Sequence, residues 1–276
     1  MRAIVVLMAM VLSGWGTAAL GGSLPPASAI AGIVRDAAIS DALDTFGDSV
    51  RDMARGGELS ANRMFLQHWE LTANEVFAPD RLSAGLISSI DDGLTDEDEN
   101  ALATFYASPL GQKVSRLERA SHELSPAETE RALAAGRDTL ASASPERLRA
   151  LDRAIALGGP EIGAKLACQA LRVMLLGLSL AGQEGEIDLP WADVDAQVEA
   201  TAPGMVAQYQ RDSRAVAAYL YGALDDAELS DYVAMLEKPA MRHLYGASAT
   251  ALDTLIQRAV KTFGAELAVR LRSVSI

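Results

Sequence analysis

A helix-start signal recurs along this chain and leaves little room for any fold but a helical one. Thr95-Asp96-Glu97-Asp98 sets a hydroxyl acceptor before an acidic first turn. Ser125-Pro126-Ala127-Glu128 repeats the device with proline at the first helical position and glutamate closing a capping box; Ser144-Pro145-Glu146 opens another. Such residues satisfy backbone N–H groups that a helix leaves unpaired at its start, and their carboxylates face the positive end of its dipole. Stops alternate with the starts: Gly56-Gly57, Gly93, Pro109 with Gly111, and Gly158-Gly159.

Between these marks apolar residues recur at threes and fours. Ile30, Ile33, Val34, Ala37, Leu43, Phe46, Val50 and Met53 predict one amphipathic helix. Met64, Phe65, Trp69, Leu71 and Val76 predict a second, and Leu82, Leu86, Ile87 and Ile90 a third. Later helices are expected over residues 194–202, 205–222, 226–236 and 240–271, the last either whole or broken in two, with a loop over 182–190. Hydrophobic residues make up 50% of the 276 and aromatics 5%, so Ala, Leu and Met carry the burial, which favours helices over sheets. No stretch shows strand alternation closed by hairpin turns. The expectation is an all-α protein of about nine to eleven helices, arranged as stacked helical hairpins.

The first 22 residues have the order of a secretory leader: Arg2, an apolar run over 3–12, then small residues at Gly14, Gly16, Thr17, Ala18 and Ala19. Cleavage is expected after Ala19 or Gly21, and the apolar run is short of the roughly 20 residues a bilayer span needs. The mature chain is therefore expected in the periplasm or secreted, with no stable transmembrane segment. The uncharged run over 173–181 reads as a core helix. A net charge of −13 disfavours nucleic acid, which is held by Lys and Arg.

The punctuation also occurs twice. Leu94-Thr95-Asp96-Glu97-Asp98 is echoed by Leu224-Asp225-Asp226-Ala227-Glu228, and the same offset carries Pro109 onto Pro239 and Lys113 onto His243. This predicts a tandem duplication, with a first helical repeat over 23–143 and a second, divergent one over 144–276. The first copy, with Phe105-Tyr106-Ala107-Ser108-Pro109-Leu110-Gly111-Gln112-Lys113 after its acidic start, resembles the signature of the domain of unknown function 2059 family over about residues 80–120. The resemblance implies an exported proteobacterial helical protein and brings no catalytic residues. The second copy departs from the pattern at Glu237-Lys238-Pro239 and at Met241.

Catalytic signals are sparse. His68, His122 and His243 do not form a zinc-binding spacing on one helix face; His122 beside Glu123 is a neighbour in sequence and not on a shared face. The acidic run over 91–99 lacks the calcium-loop ligand pattern and reads as capping plus a solvated turn. Cys168, in an apolar helical run, reads as a buried thiol. No nucleophile elbow, Walker loop or dinucleotide fingerprint occurs. No catalytic, cofactor or metal residue is assigned, and no cofactor is expected. Trp69 and Trp191 read by default as core residues, with a groove between helices as the alternative. The leading functional expectation is a binding or scaffold module for a protein or envelope component. The alternatives are an envelope hydrolase or lyase using carboxylates and a periplasmic holdase.

Overall fold

A computed structural model describes residues 29–55, 59, 62–158, 160–181 and 191–273. The leader, the Gly56-Gly57 stop and the 182–190 loop lie outside the described residues. The described residues form twelve α-helices and one 3-10 turn, with no strand among them. The protein is all-α.

The first helical stretch is broken in two, which corrects the single helix expected from its periodicity. α1 (Ala29–Asp36) and α2 (Ile39–Arg55) meet at Ala37-Ala38, where Ala38 takes a left-handed φ of 54°. That conformation costs an alanine about 1–2 kcal/mol. The break lets α1 turn its buried Ile30, Ile33 and Val34 toward three later helices, Pro79–Asp91, Asp96–Ala107 and Pro109–His122, while α2 continues along the core. α3 (Arg63–Val76) starts under an Asn62 cap whose Oδ1 accepts from the Met64 N–H at 3.0 Å. α4 (Pro79–Asp91) begins at its proline.

α5 (Asp96–Ala107) has the capping box read from sequence: Thr95 Oγ1 accepts from Asp98 N–H, and Asp98 Oδ2 from Thr95 N–H. α6 (Pro109–His122) starts at Ser108, α7 (Pro126–Ser142) at the Ser125–Glu128 box, and α8 (Pro145–Leu157) at Ser144. α9 (Pro160–Ala181) follows; it is long and apolar enough to cross a membrane by composition, yet Ala170, Leu171, Val173, Leu176 and Leu180 are buried inside the fold. α10 (Trp191–Leu220) runs unbroken through Pro203, which corrects the two separate helices expected there. A proline removes one helical hydrogen bond, and the packing of α7 and α9 along α10 holds the helix together across the gap. After the 3-10 turn (Tyr221–Ala223) come α11 (Asp226–Leu236) and α12 (Pro239–Arg272), a single helix of 34 residues.

α12 is the pillar of the molecule, packing against α3, α4, α5 and α9. The main core runs from Ile30 to Ala268 and mixes residues from both sides of the 143/144 boundary, so the two segments share it. At its centre Trp69 meets Phe263 edge to face at 4.8 Å, and Phe77 joins Phe46 at 5.6 Å and Phe263 at 5.5 Å. A second cluster, with Val114, Leu151, Leu229, Tyr232 and Leu236, ties α6 and α8 to α11. α7 crosses α10 with its backbone nearly touching: a Cβ on Gly136 would lie 1.8 Å from the Ala215 carbonyl oxygen.

The two echoed corners are joined by reciprocal polar contacts. Lys113 Nζ on α6 sits 2.6 Å from Glu228 Oε2 at the start of α11, and His243 Nδ1 on α12 sits 2.9 Å from Asp98 Oδ2 at the start of α5. The offset that carries Lys113 onto His243 also carries Asp98 onto Glu228. Each corner's basic residue thus reaches the other corner's capping acid, the relation found across a two-fold interface.

Candidate functional site

Three helices frame a cleft of about 920 Å³. α9 lines it with Lys165, Cys168, Gln169 and Arg172, whose spacing puts them on one helix face. α12 faces them with Asp253, Gln257 and Lys261, and α10 adds Trp191, Asp195, Val206 and Gln210. Charges on the walls are mostly paired across helices. Arg172 Nε donates to Asp195 Oδ1 at 2.7 Å while its Nη1 donates to Gln169 Oε1 at 2.8 Å. Lys165 Nζ lies 3.4 Å from Asp253 Oδ2, and Gln257 Nε2 donates to Asp253 Oδ1 at 2.9 Å. Lys261 has no ion-pair partner among the described residues.

Trp191 opens α10 and leans its indole over Gly264 of α12; a Cβ there would come within 2.7 Å of Cζ2. Glycine at 264 is what lets the ring lie against the pillar. Cys168, which lines the same cleft from α9, is half-buried, and burial pushes its thiol up more than nearby Arg172 pulls it down. A raised thiol pKa means little thiolate, so this cysteine is a poor nucleophile. The cleft therefore supplies an aromatic face, three amides and both signs of charge, without a base poised beside a nucleophile. No group of three or more His, Cys, Asp or Glu among the described residues is arranged to hold a metal.

Trp69 is elsewhere, fully buried in the core with Nε1 donating to the Val50 carbonyl at 2.8 Å. This corrects its candidacy for a groove: its indole fills the space between Phe65 and Phe263 and reaches no solvent. The two tryptophans thus serve different purposes. His243 is half-exposed beside Asp98, and that contact, with Thr95 next in weight, holds the Asp98 carboxyl below its usual range. His68 is half-buried on α3, with a buried Nδ1 that has no hydrogen-bond partner among the described residues.

A second recess, of about 230 Å³, escaped sequence reasoning. Glu118 and His122, one turn apart on α6, line it together with Tyr209, Tyr221 and Tyr245. Glu118 Oε1 accepts from Tyr221 Oη at 2.8 Å and from Tyr232 Oη at 2.6 Å. Burial drives the Glu118 carboxyl up, against the lowering effect of the two phenols, and it also drives the His122 imidazole down toward neutrality. The i, i+4 spacing of Glu118 and His122 was the one signal available in the sequence. The tyrosines that give the pair its setting come from distant stretches of chain.

Residues 80–136, from α4 into α7, match the model of a family described as "Uncharacterized protein conserved in bacteria" (DUF2059). The matched stretch contains the whole α5–α6 corner and both Glu118 and His122. No curated protein and no solved structure matches the chain.

Proposed function

We propose that this is an exported binding module, built from two copies of one helical hairpin unit, that takes a polar segment of a protein or envelope component into the cleft between α9, α10 and α12. The observation that carries the reading is the cleft's composition. Trp191 offers a rigid aromatic anchor, and amides and paired charges surround it where a polar ligand could exchange hydrogen bonds. The ion pairs Arg172–Asp195 and Lys165–Asp253 are partly solvated, so opening them toward a ligand costs little. Export rests on the leader-like order of the first 22 residues.

The chain's single cysteine lies in this cleft and serves as the reporter. Modification of Cys168 by a disulfide reagent, followed in the presence of soluble envelope fragments or periplasmic extract, should slow when the cleft is occupied. Trp191→Ala should abolish the protection while leaving the uncomplexed rate close to unchanged. Equal rates with and without every fraction would sink the binding reading. Recovery of the uncleaved chain in the cytosol would sink export.

A further inference from the structure

The recess around Glu118 is separate from the cleft and unfinished in charge. Its walls are mostly alanine, leucine, isoleucine and valine, with a polar end around Glu118 and His122; Ser121, Ser213 and three tyrosines are its other polar lining residues. No lysine or arginine lines it, and Glu118 is the one carboxylate among the lining residues. Three observations say what the polar end lacks.

First, its hydroxyl donors are already committed. Tyr221 and Tyr232 both give their protons to Glu118 Oε1, which leaves Oε2 without a hydrogen-bond partner among the described residues. Oε2 is not sealed off either, since the Glu118 side chain still meets the open space of the recess.

Second, His122 presents an acceptor. Thr45 Oγ1 gives its own proton to the Asp41 carbonyl at 2.7 Å, so the 3.4 Å contact between Thr45 Oγ1 and His122 Nδ1 is made by an Nδ1–H donating to oxygen. A neutral ring with its proton on Nδ1 carries a lone pair on Nε2. Burial keeps that ring neutral, with Asp41 the charge that opposes it.

Third, the tyrosines add no charge of their own to the polar end. Tyr245 and Tyr221 are pushed far above the ordinary phenol range by burial first and by the Glu118 charge next, so they stay neutral. The polar end thus offers a carboxylate oxygen, an imidazole lone pair and aromatic rings, and no cation. A buried carboxylate without a cation is costly, which is why its pKa rises. A ligand that brings the cation removes that cost, and aromatic rings around a carboxylate favour ammonium groups.

We propose that this recess binds a small alkylammonium cation, its charged head at Glu118 Oε2 and its carbon chain along Leu166, Val216 and Leu220. The recess, at about 230 Å³, has room for a small alkylammonium. The left-handed Ala38 belongs to the same wall, and strain of this kind is characteristic of ligand clamps.

The test uses the full mature chain and two matched probes, n-butylammonium chloride and n-butanol, followed by saturation-transfer NMR and calorimetry. Butylammonium should bind at least about tenfold more tightly than butanol, and Glu118→Gln should remove most of that preference. Ala217→Leu, which fills the recess from α10 without touching its charge, should block butylammonium while circular dichroism stays helical. Absence of butylammonium binding to the wild-type chain would overturn the proposal, as would equal binding of the two probes. Those two arms need no variant, so a poorly folded Glu118→Gln protein leaves the answer intact. Loss of cleft protection at Cys168 with the ammonium preference retained would separate failure of the cleft reading from failure of this one.

Discussion

At the α5–α6 corner, the chain turns through Ser108-Pro109 and the two helices pack closely, because Gly111 has no side chain to hold them apart: a Cβ there would lie 2.0 Å from the Phe105 carbonyl oxygen. At the α11–α12 corner, the same offset sets Pro239 at the turn and Met241 where the glycine would be. Met241 is fully buried, α11 touches α12 little, and α12 instead runs on across α3, α4, α5 and α9. Both corners have a capping box, a proline at the first helical position and a buried aliphatic residue, Val114 or Leu244, further along. Caps and prolines therefore set where the helices start; the residue two places after the proline sets whether they fold back on each other. One corner is a closed hairpin, and the other is an opened one whose second arm is the pillar.

The sharpest way to break this comparison is Gly111→Ala. The added methyl runs into the backbone of Phe105 and Tyr106, so the hairpin must open, at a cost of about 4 kcal/mol in urea unfolding, above the usual overpacking penalty because the clash is with backbone. A neutral result would show that the close approach does not hold α5 to α6. Met241→Ala removes a fully buried side chain from the opened corner and should cost about 3 kcal/mol by the same measurement. Gly246→Ala on α12 should act in the opposite direction. Nothing lies within 4 Å of the new methyl on an exposed helical face, and about 0.5–1 kcal/mol of stabilisation is expected.

The reciprocal contacts sharpen the comparison further. Lys113 and Glu228 are each about a third exposed, so a double-mutant cycle should return a coupling of about 0.5 kcal/mol. The smallest effect is one of acid stability. Asp98 ionises below its usual range, first through His243 and then through Thr95, so the stability it lends is present above the ordinary carboxylate pKa and fades as pH falls through the lowered value. In His243→Ala, NMR titration should show the Asp98 carboxyl moving up while Glu228, held low first by Lys113, stays in place. Movement of both would mean that the two corners are coupled more widely than through these pairs.

Local signals explain what could be read in advance. The starts at Thr95, Ser125, Ser144 and Asp225 depend on three or four neighbouring residues, and each is a helix cap in the fold. The break at Ala38 could not be read, since alanine is a strong helix former and its left-handed turn is imposed by what α1 packs against. Pro203 misled for the related reason that tertiary packing overrode a local helix breaker. Trp191 reached a cleft through Gly264, and Trp69 reached the core through Phe263, contacts made across long stretches of chain. The tyrosines around Glu118 are equally remote: their hydroxyls come from the 3-10 turn and from α11.

The pillar's place in chain order has a consequence for how the protein is made. α3, α4 and α5 pack on neighbouring helices early in the chain, but each also closes on α12, which follows them at long sequence separation, so part of their apolar surface stays uncovered until α12 has been made. Contacts of such long sequence separation delay folding and prolong exposure of apolar faces. Until α12 is made, the newborn polypeptide therefore carries helices with apolar faces still open, the kind of surface that chaperones handle.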